Sequence, residues 1–282
     1  MTATNQFLSP RQAARVLGAS ESSLKRWVDA GELVIRRTAG GHRRIPAAEV
    51  MRFARREGLV LQDAGLLGRS PQAAGRKLTT SVTRALLDGD GEAVQRLLLR
   101  AHLDGMPVAA LADGPLRLAM EELGRLWLND PEGVAREHHA TLLVMRAIEA
   151  LRGVLPVPRP GAPVAIGGGP AGDPYLLPSL LASLVLQEAG WRTIDFGADT
   201  PDTALLAAAH RHDASLVWRS FTGELDPAAA SAALALLCRR LAPCRVAAGG
   251  WRAHLLVGLD GIANLARPAS MADLAALARL GA

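Results

Sequence analysis

Residues 127–139 read WLNDPEGVAREHH. A helical pattern runs into Trp127, Asp130-Pro131 interrupts it, and a second pattern opens at Glu132 and carries Glu137, His138 and His139. Antiparallel packing of two such helices brings the tryptophan towards the Glu-His pair. Neighbouring helical positions point about 100° apart, so His138 and His139 do not both face one cavity. Two readings follow: a cap over a ligand, or a core tryptophan beside a polar surface patch. Everything before this stretch is helical or basic. Everything after it alternates between strand and helix.

The chain has 282 residues, long enough for two or three domains, and 49% of them are hydrophobic, which suffices for substantial cores. No run of about eighteen apolar residues appears, so no membrane partner is expected. The N-terminal MTATNQFLS lacks the charged and apolar regions of a signal peptide, and Cys238 and Cys244 are not spaced as metal ligands. A cytoplasmic protein with two buried thiols is expected. The net charge of +5 is uneven. Residues 1–60 hold eleven Lys/Arg against five Asp/Glu, a balance of +6, which leaves −1 for the rest. An anionic partner is therefore expected for the first segment alone.

Within that segment, Ser9, Pro10 and Gln12 form an N-cap, a first-turn proline and a capping-box glutamine. They predict a helix over 10–17 that Gly18 ends. Ser20 caps a second helix over 21–30, ended by Gly31. Two short helices joined by a tight turn read as a helix-turn-helix. Leu33–Ile35 predicts a strand, Gly40-Gly41 a hairpin turn and His42–Ile45 the return strand of a β-wing, with a helix over 46–56 behind it. The candidate DNA-contacting residues are Arg11, Glu21, Ser22, Ser23, Lys25 and Arg26 around the second helix, with Arg36, Arg37, Thr38, His42, Arg43 and Arg44 in the wing. The wing arginines, Lys25 and Arg26 suit phosphates, which position a protein on DNA. Residues 21–26 suit base edges in the major groove.

Residues 61–78 read as a linker, and residues 79–155 as a four-helix bundle with helices over 79–87, 91–103, 108–129 and 132–155. After a proline-rich linker over 156–163, residues 164–282 alternate between strands (164–168, 191–197, 214–220, 245–250, 261–265) and helices (176–189, 201–211, 226–241, 270–280). Five strands in that rhythm predict a doubly wound, flavodoxin-like parallel sheet. The fold class is thus multidomain α and α/β. Ligands of such sheets bind beyond the carboxyl ends of the strands, here Gly167–Tyr175, Gly197–Thr200, Ser220–Gly223 and Gly249–Arg252. Of the histidines outside the wing and the Glu-His pair, His102, His210, His212 and His254 are expected at the surface. No nucleophile elbow, H-E-x-x-H or P-loop is present, so no enzyme is expected.

Leu8–Val50, with its GGHRR wing, resembles the winged helix-turn-helix of the MerR family. The order of reader, bundle with W-x9-EH and five-stranded α/β domain resembles the CarH/LitR group of cobalamin-dependent, light-responsive repressors over nearly the whole chain. That resemblance implies operator DNA as partner, a homo-oligomer (dimer or tetramer) and a small-molecule ligand between bundle and α/β domain. It places Trp127, Glu137 and His138 over the upper face of a corrinoid, Ser220 and Thr222 under its nucleotide tail, and Gly249-Gly250 beside it.

The chain departs from the family at three positions, Tyr175, Pro178 and Leu128. The family's D/E-x-H-x-x-G, whose histidine ligates cobalt, is Asp173-Pro174-Tyr175-Leu176-Leu177-Pro178 here. The histidine that follows the cap tryptophan in light-sensing members is Leu128. The cofactor is left open between none, a cobalamin held without a protein ligand below cobalt, and another ligand such as haem or a different tetrapyrrole. Tyrosinate is a known axial ligand of ferric haem, and a half-buried aromatic is the plainer reading of Tyr175. The alternatives to a regulator are a corrinoid- or tetrapyrrole-binding sensor or antirepressor that acts through a partner protein and, from another class, a corrinoid-dependent or corrinoid-carrying enzyme module.

Overall fold

The computed structural model describes residues 7–37, 43–59, 61–62, 71–127 and 131–280. The N-terminal unit comprises β1 (Phe7–Leu8), α1 (Pro10–Val16), α2 (Glu21–Asp29), β2 (Arg36–Arg37), β3 (Arg43–Pro46) and α3 (Ala47–Arg56). The capping box forms as its spacing demands: Gln12 N–H donates to Ser9 Oγ at 3.3 Å, and Ser9 N–H donates to Gln12 Oε1 at 2.9 Å. Ser20 caps α2 through the N–H of Ser23. The first wing strand begins three residues later than the hydrophobic run suggests. Leu33 is buried in the core and Val34 N–H donates to the buried Glu49 carboxylate, so these residues anchor the wing and the ladder starts at Arg36. β1, unforeseen, pairs with β3 and makes a three-stranded sheet in the order β1-β3-β2.

The middle unit comprises α4 (Pro71–Leu87), α5 (Gly91–Leu103), α6 (Val108–Leu111), α7 (Arg117–Trp127) and α8 (Gly133–Arg152). Two expectations are corrected. Helix begins at Pro71, so part of the segment read as linker is helical; proline suits a first helical position. The helix expected over 108–129 is interrupted by a π-helical turn at Ala112–Leu116 that contains Pro115. Proline has no N–H to give the helix ladder, and the wider turn absorbs the defect.

The third unit follows its predicted rhythm: β4 (Val164–Gly168), α9 (Leu177–Glu188), β5 (Arg192–Asp195), α10 (Asp202–Arg211), β6 (Leu216–Ser220), α11 (Pro227–Leu241), β7 (Arg245–Gly249), β8 (Leu265–Ala266) and α12 (Met271–Arg279), except that the fifth strand, expected over 261–265, is the two-residue β8, with turns over most of that span. The five strands are parallel in the order β5-β4-β6-β7-β8, as in a flavodoxin-like sheet. Successive strand residues alternate between layers. Ala165, Leu216, Trp218 and Ala247 pack towards α9 and α12, whereas Ile166, Val217, Val246 and Ala248 pack towards α10 and α11.

The α9–α12 layer and the bundle share one hydrophobic core, which includes Leu98, Leu111, Ile148, Leu184 and Trp218. Polar contacts lock the joint. Val108 N–H donates to Glu188 Oε2 at 2.9 Å, and Arg152 donates to Gln187 at 3.0 Å and Ser183 at 2.7 Å. His102, expected at the surface, is buried here, with Nδ1 3.1 Å from the Met106 carbonyl oxygen and 3.6 Å from Glu188 Oε1. The carboxylate of Asp113, in the π-helical turn, accepts the N–H groups of Met271 and Ala272, both at 2.9 Å. These are two of the donors that open α12, and a carboxylate suits a helix N-terminus.

Asp113→Ala should lower stability by about 1–2 kcal/mol through loss of both acceptors, as read by urea unfolding. An unchanged midpoint would mean that Asp113 does not staple the bundle to α12.

Candidate functional site

Two surfaces carry the candidate residues. On the reader, Glu21, Ser22, Lys25 and Arg26 are exposed along α2, while Ser23 is half-buried. Ser22 and Ser23 lie within hydrogen-bond distance of the cap residue Ser20, with Oγ–Oγ separations of 2.8 and 2.9 Å. Their hydroxyls are engaged at the helix start. Arg11 stands 4.0 Å from Glu21 in an exposed ion pair, an interaction that water screens strongly. Lys25 and Arg43, with Glu21 beside them, line a cleft of about 330 Å³ between α2 and β3, where the two cations outnumber the one carboxylate. Arg44 is half-buried, and the Arg36 guanidinium lies 5.9 Å from the Phe7 ring centroid. Thr38, His42 and the Arg37 side chain lie outside the described residues.

The second surface is the carboxyl end of the parallel sheet. Its loops are tied by Asp173, which is 4% exposed. Asp173 Oδ2 accepts the N–H groups of Thr222 at 2.6 Å and Gly223 at 2.8 Å, and Oδ1 accepts Tyr175 N–H at 3.1 Å. Asp173 thereby fastens the loop after β4 to the loop after β6. Asp199 adds a second tie through Gly172 N–H at 2.7 Å. Gly250 adopts φ +107, and a Cβ there would stand 2.4 Å from the Phe221 carbonyl oxygen. Glycine at this position serves the close approach of two loops. Gly249 takes part in the same junction by accepting Phe221 N–H at 2.8 Å. Thr222 Oγ1 is buried without a hydrogen-bond partner among the described residues.

Tyr175, Phe196 and Trp251 stand 48%, 43% and 67% exposed at the ends of β4, β5 and β7. Every other described aromatic side chain is buried or half-buried. Glu137 and His138 are placed early in α8. Glu137 accepts from Thr141 at 3.4 Å and lies 3.9 Å from His138, whose side chain is largely exposed. His139 approaches Gly89 at the α4–α5 turn, apart from His138. The Trp127 side chain and Leu128 lie outside the described residues.

Two adjacent residues of β6, unremarked in the sequence, fill the two layers beside this face. Trp218 sits on Gly167, where a Cβ would come within 2.1 Å of the indole ring. Its Nε1–H donates to Ser179 Oγ at 2.9 Å, and the Ser179 hydroxyl donates to Asp195 Oδ1 at 2.6 Å. Burial pushes the Asp195 carboxyl above its ordinary value, opposed by the Ser179 hydroxyl and the Gly197 N–H. In the opposite layer, buried Arg219 donates to the carbonyls of Gly169 at 3.1 Å and Thr200 at 2.9 Å, and pairs with Asp202. Arg219 floors a cleft of about 510 Å³ between α10 and α11. A charged residue inside an apolar strand was the available signal for Arg219. Trp218 required the register that sets it across from Gly167.

A helix-turn-helix head, a helical cap and a five-stranded α/β domain with loops gathered at its strand ends define a reader joined to a corrinoid-protein type of fold. Residues 7–58 match the helix-turn-helix domain family, and residues 78–152 match the B12 binding domain family. The fold is similar to that of a monomethylamine corrinoid protein from Methanosarcina barkeri, with TM-score 0.52 and 16% identity over 73% of this chain and 98% of that one. The HTH-type transcriptional repressor CarA of Myxococcus xanthus is 30% identical over 260 residues, 87% of this chain and 88% of that protein. The chain belongs to the CarA family of HTH-type transcriptional regulators.

The residues at the strand ends do not fit a corrinoid carried on an imidazole with its tail inserted. Tyr175 occupies the expected ligand position, and Trp218 fills the layer beneath the face.

Asp173→Ala should cost about 3 kcal/mol or more, because three backbone N–H groups lose their acceptor. A urea-unfolding loss below about 1 kcal/mol contradicts the tie. For Asp195, a raised pKa means that the folded state binds the proton more tightly. Its favourable contribution is therefore complete below the ordinary value of 3.8 and is lost as pH rises through the raised one. Asp195→Asn keeps an oxygen acceptor for Ser179 and Gly197, so at pH 7 the variant should match or exceed the parent in thermal unfolding. A marked loss at pH 7 would show that the negative charge is needed.

Proposed function

We infer that the chain is a sequence-specific DNA-binding repressor of MerR type, not an enzyme, acting in the cytoplasm as a homo-oligomer (dimer or tetramer). Its C-terminal region is a sensor of the corrinoid-protein fold whose ligand response no longer depends on a histidine below cobalt. The observation that carries this reading is the basic groove of Lys25 and Arg43 beside the exposed face of α2. Kinship with the repressor CarA supports it. Arg36, Arg37, Arg43, Arg44, Lys25 and Arg11 serve phosphates. Glu21, Ser22 and Arg26 reach base edges, with Ser23 holding the helix start, and Thr38 and His42 complete the wing.

A second reading is favoured by the orphaned Thr222 hydroxyl in the loop after β6 and by the exposed Tyr175, Phe196 and Trp251 in the loops after β4, β5 and β7. In that reading the strand-end face, with Ser220 and Gly249-Gly250 beneath it and Trp127, Glu137 and His138 above it, takes a corrinoid, haem or another tetrapyrrole and signals to a partner protein. A coloured protein on purification that leaves its own promoter unbound would favour it.

The test of the first reading is a mobility-shift titration on the promoter region of the chain's own gene against competitor DNA. Specific retardation that weakens with salt is expected. Arg43→Ala should weaken binding to all sequences and lower the salt slope by about 0.9 for the lost phosphate contact. An unchanged slope rejects the phosphate role of Arg43.

A further inference from the structure

The nucleotide-tail position implied by the family resemblance can be located on the sheet by register. Ser220 pairs with Gly249, and two residues back along β6 and β7 Trp218 pairs with Ala247. Strand residues two apart share a face, so Ser220 and Gly249 look into the layer that holds Trp218 and Ala247, beneath α9 and α12. Gly167 of β4 faces the same layer beside Trp218. A tail that reaches Ser220 and Gly249 from the strand ends must enter this layer.

That layer is full. The Trp218 ring occupies the volume above Gly167, where no side chain would fit, and is 2% exposed. It is bonded across the layer to Ser179 of α9, and through Ser179 to Asp195 at the end of β5. Leu181 and Leu184 of α9 and Leu274 and Ala278 of α12 belong to the same core. A ring that is both packed and hydrogen-bonded on its polar edge has little reason to swing aside.

We propose that Trp218 closes the layer between the sheet and α9/α12, and so excludes from this domain a corrinoid bound with its nucleotide tail inserted in that layer. The proposal rests on the reading of the C-terminal region as a sensor that has left the histidine-ligated corrinoid mode. Trp218 sets specificity by occupying the tail's volume. A corrin ring without a tail is not opposed by it.

The test is equilibrium dialysis in the dark with adenosylcobalamin and, beside it, with cobinamide, the same ring without the tail. The parent chain, Trp218→Phe and Trp218→Ala are compared, with circular dichroism and a sizing column as checks of folding. The parent and Trp218→Phe should hold adenosylcobalamin at least about tenfold more weakly than Trp218→Ala does, while cobinamide affinity stays equal across the three. The proposal fails if the parent binds adenosylcobalamin with its base detached from cobalt, if Trp218→Ala gains nothing, or if cobinamide gains equally. Should Trp218→Ala not fold, Trp218→Leu replaces it under the same criteria. Promoter binding by the same preparations reports on the reader. A parent that binds its promoter and also takes up the tailed cofactor refutes this inference alone.

Discussion

The contact between Trp218 and Gly167 governs what the α/β domain is able to hold. It joins the central strands β4 and β6 in the layer that α9, α12 and the bundle also share. An indole bonded to Ser179 fixes α9 against the sheet, and α9 in turn carries Ser183, Gln187 and Glu188 to the bundle. The closure of the layer and the joint between sensor and bundle are therefore parts of one packed body. The next residue, Arg219, points the other way and fastens the loops after β4 and β5 by their carbonyls. One strand thus braces both sides of the face at which ligands of this architecture bind.

Local chemistry made much of the fold legible. Ser9 and Gln12, Ser20, and the strand-helix rhythm after residue 163 carry their structure in short windows, and that rhythm with right-handed crossovers pointed to the parallel sheet. The errors lie where tertiary packing outweighs local pattern. Leu33–Ile35 has strand propensity, yet Val34 N–H is taken by the Glu49 side chain instead of a strand partner. The π-helical turn is a miss of a different kind, because Pro115 was a local signal that the hydrophobic periodicity overrode. His102 looked like a surface residue until Glu188, far along the chain, was placed beside it.

The candidate site was legible by position and less so by role. Asp173, Tyr175, Ser220, Thr222 and Gly249-Gly250 do gather at the strand ends. Asp173 and Gly250 are committed there to holding loops together, which a resemblance in sequence does not reveal. Tyr175 keeps an exposed ring where a ligand of cobalt was expected. The strut through Trp218 was out of reach, because no single-sequence pattern tells which glycine a tryptophan will cover.

The account's central claim is a DNA reader whose sensor has parted from tailed corrinoids. The most direct measurement is a footprint of the chain on its own promoter, in darkness and after illumination, with and without adenosylcobalamin. The account predicts one protected segment, the same under all four conditions. Protection that requires the cofactor and vanishes in light would contradict it.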